Sequence, residues 1–324
     1  MAASAPSGAT VARARSARWE LYHRDTTTRE LPARERSSVQ GAIVDHRESW
    51  TRDVVQRFPC LRAIVRLGVG LDNVDVDELR RRGIAVGNVP AYGTTDVADH
   101  TIALLLDLGR GITLQSEALR ESGSAAWAQS VPSNFRLRDL TFGIVGCGRI
   151  GTAVGRRAEA FGMRVVFYDP LQPKGIELAH RWRRVDTLHE LASCDVISLH
   201  CPLTEGTRGM VNRGYWEVVA RERRGRGQVL LNTARGDLVD WPGFTAAFDS
   251  GIVRCAGLDV LPIEPIDDND ELIVRWRTGT PGVRERLVVT PHSAFACAEA
   301  VEDLERGALT TLERLLSERA AERD

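Results

Sequence analysis

TFGIVGCGRIGTAVGRRAEAFGMRVVFYDP, residues 141–170, is the stretch that decides the fold. A short apolar run, Phe142 to Val145, predicts a buried strand, and it stops at Gly146, Gly148 and Gly151, spaced as G-x-G-x-x-G. A helical pattern follows from about Ile150 to Phe161 and closes at Gly162; Val165 to Tyr168 reads as a second strand ending on Asp169. The three glycines answer different needs: Gly146 permits the tight turn, Gly148 lets a pyrophosphate approach the backbone, and Gly151 lets helix and strand pack closely. The helix N-terminus then offers N–H groups and a positive dipole end to phosphates. Asp169 lies eighteen residues after Gly151, where a carboxylate accepts hydrogen bonds from an adenosine ribose, which favours NAD over NADP. A glycine-rich turn alone is a common steric device. Strand, turn, helix, second strand and terminal acid in that order make a dinucleotide site.

Around this stretch, 324 residues suffice for two domains with proper cores, and 43% hydrophobic with 27% charged residues is ordinary for a globular protein. A formal net charge of −1 gives no electrostatic reason to expect nucleic acid or a membrane surface, so small molecules are the expected partners. Cys60, Cys147, Cys194, Cys201, Cys255 and Cys297 are dispersed, with neither metal-site nor disulfide spacing. No metal is expected, and a reducing cytoplasm fits best. No apolar run reaches the length of a membrane span. Residues 1–18, rich in Ala, Ser and Arg and without acids, have the composition of a mobile tail and equally of a transit peptide.

Taken in order, Trp19 to Tyr22 and Gly41 to Asp45 read as short strands, Thr51 to Phe58 as helix and Leu61 to Val65 as strand. Gly68 and Gly70 imply a loop whose backbone N–H groups suit a carboxylate. Val76 to Arg82 reads as a short helix and Ile84 to Val86 as a strand, giving a small parallel α/β unit. Thr94 to Arg120 reads as one long helix linking two domains, with Val97, Ile102, Leu105 and Leu106 turned to a core. Trp127 is either a packing or a subunit-interface residue. Beyond Asp169, strands are expected at Asp195 to His200, Val229 to Asn232, Cys255 to Val260 and Leu287 to Thr290. Thr94 to Ser293 therefore reads as a doubly wound parallel sheet, and no internal repeat is visible.

Ligands of open α/β sheets bind outside the carboxyl ends of the strands. Those ends carry Gly146, Asp169, His200-Cys201-Pro202, Asn232-Thr233-Ala234-Arg235, Asp259 and His292, with Glu264 just past Asp259. An arginine can grip a carboxylate with two parallel bonds, and a histidine beside a carboxylate can move a proton near neutral pH. That combination suits a nicotinamide-linked reduction of a 2-oxo acid. His200 ends a strand too, but Pro202 beside it suggests a wall of the cofactor cleft and no catalytic role.

The motifs VRLGVGLDNVD, GIAVGNVP, VADHT, GIVGCGRIG, HCPLTEGTRGMVN, LLNTARGDLVD, AGLDVLPIEP and VVTPHSA resemble those of the D-isomer-specific 2-hydroxyacid dehydrogenase family, most closely its C-terminal-binding-protein branch. The resemblance runs from about Trp19 to Leu316. It implies a Rossmann cofactor domain at 94–293 and a smaller flavodoxin-like α/β substrate domain at 1–93 with 294–324, the cleft between them closing over substrate. By the same resemblance Arg235 binds the substrate carboxylate and carbonyl, His292 is the acid/base, and Glu264 keeps His292 protonated when needed. Thr101, Arg149, Ile150, Asp169, Cys201, Pro202, Thr207, Thr233, Ala234 and Asp259 are implied cofactor contacts. Val69 and Gly70 match a carboxylate cradle, and His46 and Arg66 match pocket residues of the named branch.

The implied activity is hydride transfer from NADH to C2 of a 2-oxo acid, giving a D-2-hydroxy acid, in a homodimer joined through the Trp127 region. The alternative is an NAD(H)-sensing interaction module in which turnover is incidental. Departures from the family concern the substrate side. The first βα unit is expected to be missing or replaced, and the chain ends soon after its last helix, without the family's usual C-terminal return to the first domain. Extra sequence occurs at 267–286 and at Arg221 to Arg226, and Phe295 stands where the branch typically has Trp. His46, Arg47 and Arg66 suit a substrate with a second anionic group, and equally suit solvated charges.

Overall fold

A computed structural model of the chain describes residues 33–45, 49–127 and 134–321. They form two compact units, one from the stretches up to Gly93 and from Cys297 onward, the other from Thr94–Ala296. The expected strand at Trp19 to Tyr22 and the tail at 1–18 lie outside the described residues.

In the first unit, α1 (Ala33–Arg36), β1 (Gly41–Val44), α2 (Arg52–Val55), β2 (Ala63–Arg66), α3 (Val76–Arg81) and β3 (Ala85–Asn88) alternate. The strands are parallel in the order β1-β2-β3, with Gly41 opposite Ala63 and Ala63 opposite Ala85. The middle strand, β2, is buried along its whole length, as a strand covered on both faces must be. Val55, Phe58 and Leu79 cover one face with Trp50. The other is covered by the C-terminal helix, Ala298–Ala321, through Leu304, Ala308, Leu312 and Leu315 on Ala63, Val65 and Val89. This corrects the expectation of a missing C-terminal return. The last helix is itself the return, because apolar residues three or four positions apart put one stripe on the sheet.

The second unit continues with α4 (Thr94–Arg110), α5 (Ile112–Ser122), β4 (Thr141–Val145), α6 (Arg149–Ala160), β5 (Arg164–Tyr168), α7 (Ile176–His180) and β6 (Arg183–Arg184). Then come β7 (Val196–Leu199), α8 (Arg213–Arg223), β8 (Gln228–Asn232), α9 (Trp241–Asp249), β9 (Val253–Leu258), α10 (Glu271–Arg277) and β10 (Leu287–Val289). All paired strands are parallel, in the order β10-β9-β8-β7-β4-β5-β6. The unit therefore starts its sheet in the middle, winds outward through β5 and β6, and returns to build β7 to β10 on the other side. The order reverses between β4 and β7, which is where a doubly wound sheet opens a crevice at its carboxyl ends. One face packs α4 and α6 on Phe142 and Ile144 through Leu105, Val154 and Ala158; the other packs α8 and α9 on Ile197 and Leu230 through Trp216, Val219 and Phe244.

One reading of this unit changes. The single helix expected over Thr94 to Arg120 divides at Gly111, whose φ of 60° is left-handed and ends the helical path. α4 buries Ala98, Ile102 and Leu105, whereas α5 buries none of its residues. The extra sequence at 267–286, to which the sequence assigns no element, contains α10. Asp270 caps α10 by accepting from Ile273 N at 3.0 Å and also accepts from Trp241 Nε1 at 2.6 Å, while Leu272 and Ile273 enter the core. The basic run at Arg221 to Arg226 likewise turns Arg223 inward, where it pairs with Asp195 at 2.7 Å.

Candidate active site

The glycine-rich turn is closed to protein at both ends and open in its middle. A Cβ at Gly146, where φ is 91°, would lie 2.7 Å from Cys201 N, and one at Gly151 would lie 2.1 Å from Gly146 O. A Cβ at Gly148 would meet nothing within 4 Å. That open face, at the N-terminus of the twelve-residue α6 with exposed Arg149 and half-buried Ile150, is a cradle that a pyrophosphate fits. Asp169 is buried after β5, accepting from Cys147 N at 2.8 Å and from Leu171 N at 2.9 Å. It ties the loop after β5 to the turn, and each carboxylate oxygen has further lone-pair capacity for a ribose hydroxyl. Gln172 donates to Cys147 O at 3.0 Å, and Arg184 Nη2 donates to the carbonyls of Asp169 and Gln172 at 2.8 and 3.1 Å. No motif marks Gln172 or Arg184, and sequence reading missed both.

Along the same strand ends, the Thr101 hydroxyl of α4 donates to Val97 O at 2.7 Å and lies 2.9 Å from the Thr233 hydroxyl after β8, from which it accepts. Thr207 donates to Pro202 O at 2.7 Å and accepts from Thr204 N at 2.8 Å, fixing the loop after β7. Burial pushes the Cys201 thiol up to about 11, so it stays protonated and contacts Met210 sulfur at 3.7 Å. Burial also pushes His200 down to about 3, which leaves a neutral ring bonded to the Ser198 hydroxyl at 2.8 Å.

His292 and Glu264, twenty-eight residues apart, meet with Nδ1 2.7 Å from Oε2. A carboxylate only accepts, so Nδ1 carries the proton and proton exchange falls to Nε2. Glu264 Oε1 also accepts from Leu261 N at 2.9 Å. Burial pushes this carboxyl up, but the hydrogen bond and charge of His292, the Leu261 N–H and the charge of Arg235 outweigh it and hold it below its ordinary 4.5. Arg235 is half-buried after β8 and donates to Ala234 O at 2.7 Å. Its turn is held by buried Asn232, which donates to Arg235 O at 2.9 Å and accepts from Ala234 N at 3.1 Å. Asp259, also buried, accepts from Thr290 Oγ1 at 2.6 Å and from the amides of Ser293 and Ala294 at 2.9 and 3.0 Å. Its side chain thus organises the loop carrying His292. Arg235, Glu264 and His292 come together at one end of the second unit's sheet.

The remaining candidates belong to the first unit. Val69 is exposed, with its carbonyl accepting from Asn88 Nδ2 at 2.7 Å, and Gly70 is half-buried beside it. Arg66 is buried at the end of β2, donating to Leu67 O at 2.7 Å with its guanidinium against Gly68. His46 and Arg47 lie outside the described residues. Among the described residues, no group of three or more His, Cys, Asp or Glu side chains is placed to hold a metal ion. No described helix is long and apolar enough to cross a membrane.

Comparison with known proteins bears on the family of the chain. Residues 102–294 match the family model for the D-isomer specific 2-hydroxyacid dehydrogenase NAD binding domain. The chain is 35% identical to a hydroxypyruvate reductase of Thermotoga maritima over 262 residues, covering 81% of this chain and 80% of that one. It is 32% identical over 298 residues to C-terminal-binding protein 1 of Caenorhabditis elegans, covering 90% of this chain but only 39% of that longer protein. Among solved structures, the D-lactate dehydrogenase from Aquifex aeolicus complexed with NAD and lactic acid superposes with a TM-score of 0.74 at 27% identity. That match covers 89% of this chain and 86% of the other.

Proposed function

The chain belongs to the D-isomer-specific 2-hydroxyacid dehydrogenase family with NAD as its cofactor, and from that premise we propose that it interconverts a 2-oxo acid and a D-2-hydroxy acid. The observation that carries this reading is the 2.7 Å bond between His292 Nδ1 and Glu264 Oε2, with the charge of Arg235 acting on the same carboxylate. NADH, when bound, supplies the hydride. Arg235 grips the substrate carboxylate with two parallel bonds and draws electron density from the neighbouring carbonyl. His292 gives its Nε2 proton to the 2-oxo oxygen, and Glu264 holds the ring through Nδ1 and neutralises the charge it carries. In the reverse direction the same nitrogen accepts the hydroxyl proton. The cofactor is held by Gly146, Gly148, Arg149, Ile150 and Gly151 at its phosphates and by Asp169 at its ribose. Thr101, Cys201, Pro202, Thr207, Thr233, Ala234 and Asp259 flank it. Val69, Gly70, His46 and Arg66, which match substrate-side residues of the family in sequence, are the proposed substrate contacts.

The assembly proposed is a homodimer through α5 and Trp127, where Ile112, Leu119 and Trp127 leave 59%, 41% and 73% of their surface exposed. None of the six cysteines is in a disulfide, and a reducing cytoplasmic setting is part of the same proposal. An NAD(H)-sensing module is the weaker reading, because the relative of that kind is matched over 39% of its length and the reductase over 80%. Following NADH absorbance with a panel of 2-oxo acids, with light scattering alongside, separates the two. Turnover by a dimer whose mass is independent of NADH is expected. No turnover with any acid, together with NADH-dependent dimerisation, contradicts the enzyme reading.

A further inference from the structure

Three side chains, His100, Thr290 and Asp259, connect α4 to the loop that carries His292. His100 Nε2 lies 3.0 Å from Thr290 Oγ1, and that hydroxyl lies 2.6 Å from Asp259 Oδ1. The protons can be assigned in only one way. Asp259 accepts the amides of Ser293 and Ala294 at 2.9 and 3.0 Å, which is the work of an ionised carboxylate. The Thr290 hydroxyl must then give its single proton to Asp259, and the lone pair turned to His100 must meet an N–H. His100 therefore carries a proton on Nε2.

What this chain of bonds secures is the aim of His292. The backbone N–H of His292 is shared between Asp259 O at 2.8 Å and Thr290 O at 3.0 Å, and the next two amides end on the Asp259 carboxylate. Three consecutive backbone donors thus reach one aspartate. His292 itself sits at φ 51°, a left-handed conformation that a histidine keeps only where its surroundings fix it. Were Thr290 to rotate, Asp259 Oδ1 would lose its shortest bond, and α4 would keep only the longer approach of His100 Nε2 to Asp259 Oδ1 at 3.6 Å.

On the reading of His292 as acid/base, we infer that His100 is a positioning residue: its Nε2–H orients the Thr290 hydroxyl onto Asp259 and so fixes the loop that aims His292. In this role it acts on the chemistry through Thr290 and Asp259.

Glutamine can place an N–H where Nε2 of histidine sits, and leucine of similar bulk cannot. His100→Leu is expected to lower kcat on the order of 10- to 100-fold, with NADH Kd within about threefold of wild type. His100→Gln should recover most of the loss. Full turnover in His100→Leu, or equal losses in the Gln and Leu variants, overturns the inference. Should His100→Leu fail to fold, Thr290→Val against Thr290→Ser decides on the same criterion: the valine variant loses turnover and the serine variant keeps it. Nitrogen-15 NMR of His100 in the wild-type chain gives a readout apart from activity, and a proton found only on Nδ1 overturns the assignment. If the wild type reduces no 2-oxo acid, the function that His100 serves is removed; if wild type and Leu variant are equally active, only the inference fails.

Discussion

At Glu264, burial and neighbouring charge pull in opposite directions. Burial pushes the carboxyl up, yet the hydrogen bond and charge of His292, the Leu261 N–H and Arg235 together leave it below 4.5. A carboxyl depressed in the folded state stabilises the fold above its unfolded pKa and loses that contribution as pH falls through the folded value. Wild type and Glu264→Gln should therefore differ in melting temperature above about pH 5, and the gap should narrow as pH falls below the ordinary carboxyl value and through the depressed one. A gap that is constant over that range contradicts the ion-pair account. Asp169 carries a comparable double duty. Its place after a strand is legible from the sequence, but its bonds to Cys147 N and Leu171 N are not, since they depend on two loops folding onto each other.

At the scale of the element, the strand, turn and helix at 141–162 separate two uses of glycine. Gly151 is needed by the protein, because a Cβ there meets Gly146 O at 2.1 Å, whereas the space beside Gly148 is open. Gly151→Ala should destabilise the fold by about 1–3 kcal/mol, as overpacking does. Gly148→Ala should leave the melting temperature nearly unchanged and weaken NADH binding about tenfold or more, the loss of one close backbone contact. Equal effects of the two substitutions on stability would contradict this division. The same stretch explains why the fold was legible: alternation of short apolar runs with helical periodicity marks a parallel sheet residue by residue. The break at Gly111 was not, since one glycine inside a helical pattern is often tolerated and only its left-handed φ shows the end. β6 escaped notice because two edge residues, Arg183 and Arg184, carry no strand pattern.

Across the whole molecule, residues far apart in sequence define the site. Arg235, Glu264 and His292 could be picked out because each follows a strand, and the sheet rule sends strand ends to one edge. The turn-holding role of Asn232 and any role for His100 or Thr290 could not, because a polar residue in or beside a strand or helix looks like any other until its partner is known. The extra sequence at 267–286 is assigned no element from the sequence, and part of it forms α10 because Asp270 caps it and Leu272 and Ile273 have a core to enter. The central claim is that Arg235 and His292 serve the chemical step on an acid held beside NADH. Its most direct test is turnover and NADH binding measured together in His292→Gln and Arg235→Ala. Turnover should fall by about 1,000-fold or more in both, with NADH bound within about threefold of wild type. Near-wild-type turnover in either variant would contradict the account.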